Sequence, residues 1–283
     1  MDSSENRGQI QDRKTGEAKS SQFAHLSTDF ENFYVAFLKR HPEKAPAIGS
    51  MVACNICGSA FRRFEKYTSE DVNSPDLWVA CPVCLSFAQH RFVFFHLATE
   101  DLRHKKVLHF APEFSLQTYL KRCGCDYYDA DLNDKCTYTC DICKLPFENE
   151  SFDYIVCNHV LEHIPEDVKA ISELFRVLKP AGKAFISVPV YNRYLEVPAR
   201  SPEERIRLYH QNDHVRNYDL DTVTERLQSA GFKVNVKSTQ QLPESFARLY
   251  FKVDWQWKDE VQDEASRKID FPEYMYLFIC TKS

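Results

Sequence analysis

From residue 107 onward, short apolar runs alternate with longer segments in which apolar residues recur every three or four positions. The runs predict strands at 107–111, 127–131, 153–157 and 183–189, and the periodic segments predict helices at 115–122 and 166–178. In the second helix Val168, Ile171, Leu174, Phe175 and Leu178 form one stripe, and Lys179, Pro180, Ala181 and Gly182 end it. A further helix over 219–230 stops at Gly231, where a left-handed backbone costs glycine little. Strands near 233–238 and 275–281 complete the set, with a polar, aromatic insertion at 241–273 between them. Alternation of this kind predicts an α/β fold, a doubly wound and mostly parallel sheet covered by helices on both faces.

Upstream of this region the pattern changes twice. Residues 1–22 are polar without periodicity and predict a disordered tail. Over 23–50 the apolar residues Phe30, Phe33, Tyr34 and Phe37 recur at helical spacing, and Pro42 ends the run. Residues 51–103 hold two Cys-x2-Cys pairs followed by the apolar run Phe92 to Leu97, read as a small module with a connecting helix. The polar break at 101–106 places a domain boundary near 104, leaving 104–283 as the main domain.

Composition narrows the function classes. The 283-residue chain has a formal net charge of -5, so no general positive field holds a polyanion. Residues 54–106 carry 7 Lys or Arg against 6 Asp or Glu, which is no basic stripe. No run is apolar enough to span a bilayer and the amino-terminal segment lacks a secretory pattern, so a cytoplasmic address is expected. In that reducing compartment 11 cysteines point to metal or redox chemistry rather than to a disulfide framework.

Cys54, Cys57, Cys81 and Cys84 supply the clearest metal signal. Each Cys-x2-Cys turn aims two thiolates at one centre, and two turns complete a tetrahedral sulfur site of the zinc-ribbon kind. Four protein ligands leave no open position, so the Zn2+ is expected to be structural. A segment this short buries little apolar surface, and metal ligation supplies folding energy it otherwise lacks.

The segment Val107-Leu-His-Phe-Ala-Pro-Glu113 is followed by Asp131 at the end of the second strand and by Asp141-Ile-Cys-Lys-Leu-Pro-Phe147. Next come Ser151-Phe-Asp-Tyr-Ile-Val-Cys-Asn-His-Val-Leu-Glu-His163 and Glu173-Leu-Phe-Arg-Val-Leu-Lys-Pro-Ala-Gly-Lys-Ala-Phe185. In this order they resemble the landmarks of the class I methyltransferases that use S-adenosyl-L-methionine (SAM), within a methyltransferase type 11-like subgroup that begins with a zinc-ribbon-like module. The resemblance covers residues 107–190 and implies a Rossmann-like sheet of seven strands. It also implies that Asp131 accepts the ribose hydroxyls, that Asp141 and the Ile142 backbone read the adenine edge, and that Asn158 and His159 line the floor beside the sulfonium. His109, Ala111 and Glu113 belong to the loop facing the methionine half, where the amides of the next helix suit a carboxylate. The family's glycine-rich first loop is absent, since residues 107–123 contain no glycine.

Between the fifth strand and the next helix, within a candidate substrate loop at 191–218, lies Tyr209-His-Gln-Asn-Asp-His-Val-Arg-Asn-Tyr218. It resembles an HDHVR-type segment of the same subgroup. His214 is the expected base, Asp213 its orienting partner or a substrate contact, and His210 and Arg216 supporting groups. Two other motifs compete for attention. Cys136-x3-Cys140-x2-Cys143 has the spacing of a radical-SAM cluster, but the repeat of a (β/α)8 barrel is missing. His159-Val-Leu-Glu-His163 fits the HxxEH pattern of certain zinc peptidases, but it directly follows a buried strand.

The expected activity is methyl transfer from SAM to a polar small molecule or glycan. Two alternatives stand beside it: an RNA or protein methyltransferase that recognises its substrate through the zinc module, and a methyltransferase-fold binding protein without catalysis.

Overall fold

The computed structural model describes residues 48–61, 64–66, 79–132, 136–198, 201–209, 211–243 and 275–283. The predicted tail, almost all of the predicted helix at 23–50, most of the insertion and the candidate residue His210 lie outside the described residues.

Two short antiparallel pairs open the fold: β1 (Ile48–Ala53) with β2 (Ala60–Phe61), and β3 (Glu65–Lys66) with β4 (Val79–Ala80). Helix α1 (Ala88–Leu97) leads to β5 (Lys106–Phe110), α2 (Phe114–Arg122), β6 (Asp126–Asp131), β7 (Tyr138–Thr139) and β8 (Phe152–Asn158). There follow α3 (Asp167–Val177), β9 (Leu178–Ser187), α4 (Pro202–Tyr209), α5 (Leu220–Ser229), β10 (Phe232–Ser238) and β11 (Tyr276–Lys282). Seven strands form one sheet in the order β10-β11-β9-β8-β5-β6-β7. Strands β5 to β9 pair in parallel, and β11 is antiparallel to both β9 and β10.

Period-two alternation divides the buried side chains between two cores. Val107, Val156, Phe185 and Leu277 pack with Leu116 and Leu120 of α2, while Leu108, Ile155, Ala184, Ile186 and Phe278 pack with Leu174 of α3 and Val223 of α5. Burying each such side chain is worth about 1.5–3 kcal/mol. The first core runs without a break through Phe92, Val93 and Leu97 of α1 to Val52, Phe61 and the four module cysteines. The module and the sheet therefore share apolar packing across residue 104.

Three details depart from the pattern. Strand β7 has only 2 residues and no apolar run announces it. Strand β9 begins at Leu178 rather than 183, because Leu178 pairs with Phe152 before the register shifts and Lys183 pairs with Tyr154. Gly182 is needed in that irregularity: a Cβ there would stand 2.9 Å from the Lys179 carbonyl. Helix α4 lies within the segment read as a loop. Gly231 does take the predicted left-handed backbone, with φ of 106°.

Candidate functional site

Parallel strands β5, β6 and β8 run in one direction, so the residues just beyond their carboxyl ends gather at one edge of the sheet. After β5 the chain turns at Ala111, whose φ of 45° is left-handed. Glycine ordinarily supplies that conformation. The first loop thus keeps the shape of a glycine turn with an alanine in it, held by the Ala111 amide donating to the Ala130 carbonyl at 2.9 Å.

Glu113, the N-cap residue of α2, is gripped from three sides. His109 Nε2 lies 2.9 Å from Oε2, the Asn158 amide donates to Oε1, and His90 Nε2 of α1 stands 3.5 Å from Oε1. Asn158 accepts in turn from the Ser187 hydroxyl at the end of β9. Burial alone would raise the Glu113 carboxyl, but His90, His109 and Asn158 outweigh it and hold the carboxyl at about 2. His90 is pushed down to about 4 by burial, against the pull of Glu113. At neutral pH Glu113 is therefore an anion beside a neutral His90, whose Nδ1 accepts the Phe87 amide at 3.2 Å.

The remaining sequence-predicted residues divide by role. His109 is fully buried and its other ring nitrogen meets the Tyr127 hydroxyl at 3.2 Å. It positions Glu113 and has no surface left for a ligand, which corrects its assignment as a direct contact. Asp131 ends β6 half-buried, and its backbone carbonyl accepts the Cys140 amide at 2.9 Å. Asp129, two residues earlier, is instead consumed internally by the Thr137 amide at 2.8 Å and Gln117 at 3.1 Å. Asp141 is exposed and closes a turn on the Cys143 amide at 2.8 Å, above buried Ile142. Asn158 is buried, while His159, left-handed at φ of 53°, is partly open. Cys136, Cys140 and Cys143 form no convergent ligand set among the described residues.

The four module cysteines do converge. Their sulfurs lie within 4.8 Å of one another, all buried and none in a disulfide, with Cys54 and Cys84 at 3.6 Å and Cys57 and Cys81 at 3.6 Å. Zinc–sulfur bonds of about 2.3 Å give a tetrahedron with edges of roughly 3.8 Å, so this donor set fits Zn2+. The two turns repeat each other: Gly58 donates to the Cys54 carbonyl at 2.8 Å and Leu85 to that of Cys81 at 2.9 Å, both from left-handed backbones. Sequence reading missed Arg91. This guanidinium is fully buried, bonds the Ser86 carbonyl, and sits 3.8 Å over the Phe64 ring, placing a positive charge beside four potential thiolates.

The HDHVR-type segment is strapped down rather than loose. Tyr218 forms a parallel bridge with Val190, and Asn217 an antiparallel one with Leu195. Arg216, 1% exposed, bonds the carbonyls of Leu161, Ile164 and Pro165 and reaches Glu196 at 2.8 Å. Its two terminal nitrogens are taken by the turn after β8 and by Glu196, while Nε is buried without a hydrogen-bond partner among the described residues, so Arg216 shapes the site from within. His214 is also 1% exposed, and burial pushes it down to about 4. Its ring meets that of His163 at 4.6 Å, and His163 Nδ1 is 3.2 Å from Asp213 Oδ2. The more accessible imidazole is therefore His163, which the sequence did not single out as catalytic. Glu162, 1% exposed, completes the group.

A parallel core flanked by the antiparallel strand β11, with an acid- and amide-lined carboxyl edge, defines a class I methyltransferase fold. Residues 115–186 match the family model described as a methyltransferase domain. A demethylmenaquinone methyltransferase of Staphylococcus carnosus is 33% identical over 117 residues, covering 35% of this chain and 48% of that protein. The phosphoethanolamine N-methyltransferase 2 of Caenorhabditis elegans is 40% identical over 42 residues, 15% of this chain and 10% of that one. The chain spans about a third to a half of the length of the first curated relatives it matches. Among solved structures, a SAM-dependent methyltransferase from Mesorhizobium loti aligns at 14% identity and TM-score 0.45, covering 68% of this chain and 96% of that one.

Proposed function

We propose that this chain is a SAM-dependent methyltransferase acting on a polar small molecule or glycan. The observation that carries the reading is the carboxyl edge itself. An anionic Glu113 caps the start of α2, where Asn158 ties it to β8 and β9, and Asp131 ends the neighbouring strand β6. In this reading Asp131 takes the ribose hydroxyls, Asp141 and the Ile142 backbone the adenine, and Glu113 the cationic amino group of the methionine half. His159 borders the sulfonium. Bound SAM supplies an activated methyl group, and the protein contributes alignment and a site for the acceptor's polar atom.

That acceptor site is the cluster of Glu162 and His163 on the turn after β8 with Asp213 and His214 of the segment before α5. A cleft bordered by Pro165, Glu196, Arg205, Tyr209 and Val215 opens beside it. A small acceptor is also what the names of both curated relatives above imply for those enzymes. Zn2+ on Cys54, Cys57, Cys81 and Cys84 has a structural role, holding 51–103 as a folded unit against the domain at 104–283.

Incubation of the full chain with methyl-labelled SAM and fractionated cell extract tests the reading. The expected result is label in a low-mass polar product that depends on the protein. Label confined to RNA or protein would replace the acceptor class, and SAM binding without any transfer would replace the activity by a binding role.

A further inference from the structure

The group at Glu162, His163 and His214 has more buried polar capacity than its neighbours satisfy. Both Glu162 carboxylate oxygens and His214 Nδ1 are shut off from solvent and lack a hydrogen-bond partner among the described residues. His159 Nδ1 comes to 3.3 Å from Glu162 Oε1, but not in hydrogen-bonding alignment. A buried carboxylate with no aligned hydrogen-bond donor is costly, and native proteins rarely keep one without an ion or a further partner to satisfy it.

We propose that Glu162, His163 and His214 bind a divalent first-row metal ion, a second metal site distinct in position and chemistry from the four cysteines. One ligand atom from each residue lies within 4.8 Å of the other two. Bonds of about 2.0–2.2 Å to nitrogen and oxygen require ligand separations of roughly 3–3.5 Å, within reach of small side-chain rotations. Two imidazoles and one carboxylate suit Zn2+, Co2+, Fe2+ or Mn2+, whereas four thiolates select zinc. Asp213 provides the outer support such sites use. By holding His163 Nδ1 it fixes the tautomer and leaves Nε2 free to ligate. The backbone adds a brace, since Val215 donates to the Glu162 carbonyl at 3.0 Å and so ties the two ligand segments together. Three protein ligands leave open positions, which an oxygen of the acceptor can occupy. The ion site stands without methyl transfer; only its use by the acceptor rests on the function proposed above.

The test uses the full-length, zinc-replete chain. Metal content after equilibration with excess Zn2+ and gel filtration should be two ions per chain, falling to one in the double variant Glu162→Gln/His214→Ala. Titration with Co2+ should give a weakly absorbing nitrogen–oxygen spectrum, without thiolate charge transfer, and affinity should fall more than about 100-fold in the double variant. If that variant fails to fold, the wild-type imidazole resonances of His163 and His214 decide the matter, because added Zn2+ must shift both. Equal stoichiometry and affinity in folded wild type and variant, or unmoved imidazole resonances, would overturn the site. SAM calorimetry on the same samples keeps the two ideas apart. SAM binding without the second ion sinks only this inference, and ion binding without SAM sinks only the proposed activity.

Discussion

Ala111 holds a left-handed backbone at the turn where the fold otherwise uses glycine, and an L-residue carries a cost of about 1–2 kcal/mol there. Ala111→Gly should therefore raise unfolding stability by about 1 kcal/mol, read as a shifted denaturant midpoint at unchanged slope; a loss of stability would show the turn to be set by the alanine side chain. At the same edge His90 takes a proton near 6.5 when unfolded but only near 4 when folded. Between those values the unfolded chain binds more protons, so stability falls as pH drops from about 6.5 toward 4. His96, likewise lowered to about 4 chiefly by burial, acts in the same window. Glu113 acts lower: its contribution is present above about 4.5 and lost as pH falls toward about 2. Midpoints measured from pH 7 to pH 5 should decline, and His90→Asn should flatten the decline. An identical pH slope in that variant would contradict the burial of a neutral imidazole.

At the scale of elements, periodicity located the parallel strands and the helices that cover them because each carries its own apolar pattern. Strand β7 was not legible, since 2 residues have no period, and the early start of β9 was hidden by the register shift around Gly182. The cysteine turns were legible because their spacing is local. Arg91 and His90 were not, for their partners Ser86, Phe64 and Glu113 are set by how α1 docks. Similarly, His163 and His214 are neighbours because Arg216 and the Val215 amide join two distant segments of chain. Removing the guanidinium exposes its worth. Arg216→Ala removes a donor shared by the carbonyls of Leu161, Ile164 and Pro165 and leaves a large buried space, and should cost about 3 kcal/mol, with faster amide exchange confined first to 161–165 and 214–218. Exchange that rises evenly over the whole chain instead would show that the turn after β8 does not depend on it.

For the whole molecule, the shared apolar packing from Phe61 through α1 to β5 changes what the cysteine module is expected to do. An autonomous module, as residue 104 suggested, would unfold on chelation and leave the cofactor edge intact. With His90 of α1 at 3.5 Å from Glu113, loss of the metal should loosen 51–97 and also weaken SAM binding, by roughly 1 kcal/mol or more. Calorimetry with and without chelator checks this, and unchanged SAM affinity in a chelated, locally unfolded chain would restore the independent module.

The adenosyl pocket at the carboxyl edge of β5, β6 and β8 is the claim on which the activity depends. Its most direct test is calorimetric titration of the zinc-replete chain with S-adenosylhomocysteine, compared between wild type and Asp131→Ala. One molecule per chain should bind the wild type, with affinity lowered by about 1.5–3 kcal/mol in the folded variant. No heat with the wild type, or equal affinity in both, would contradict the pocket.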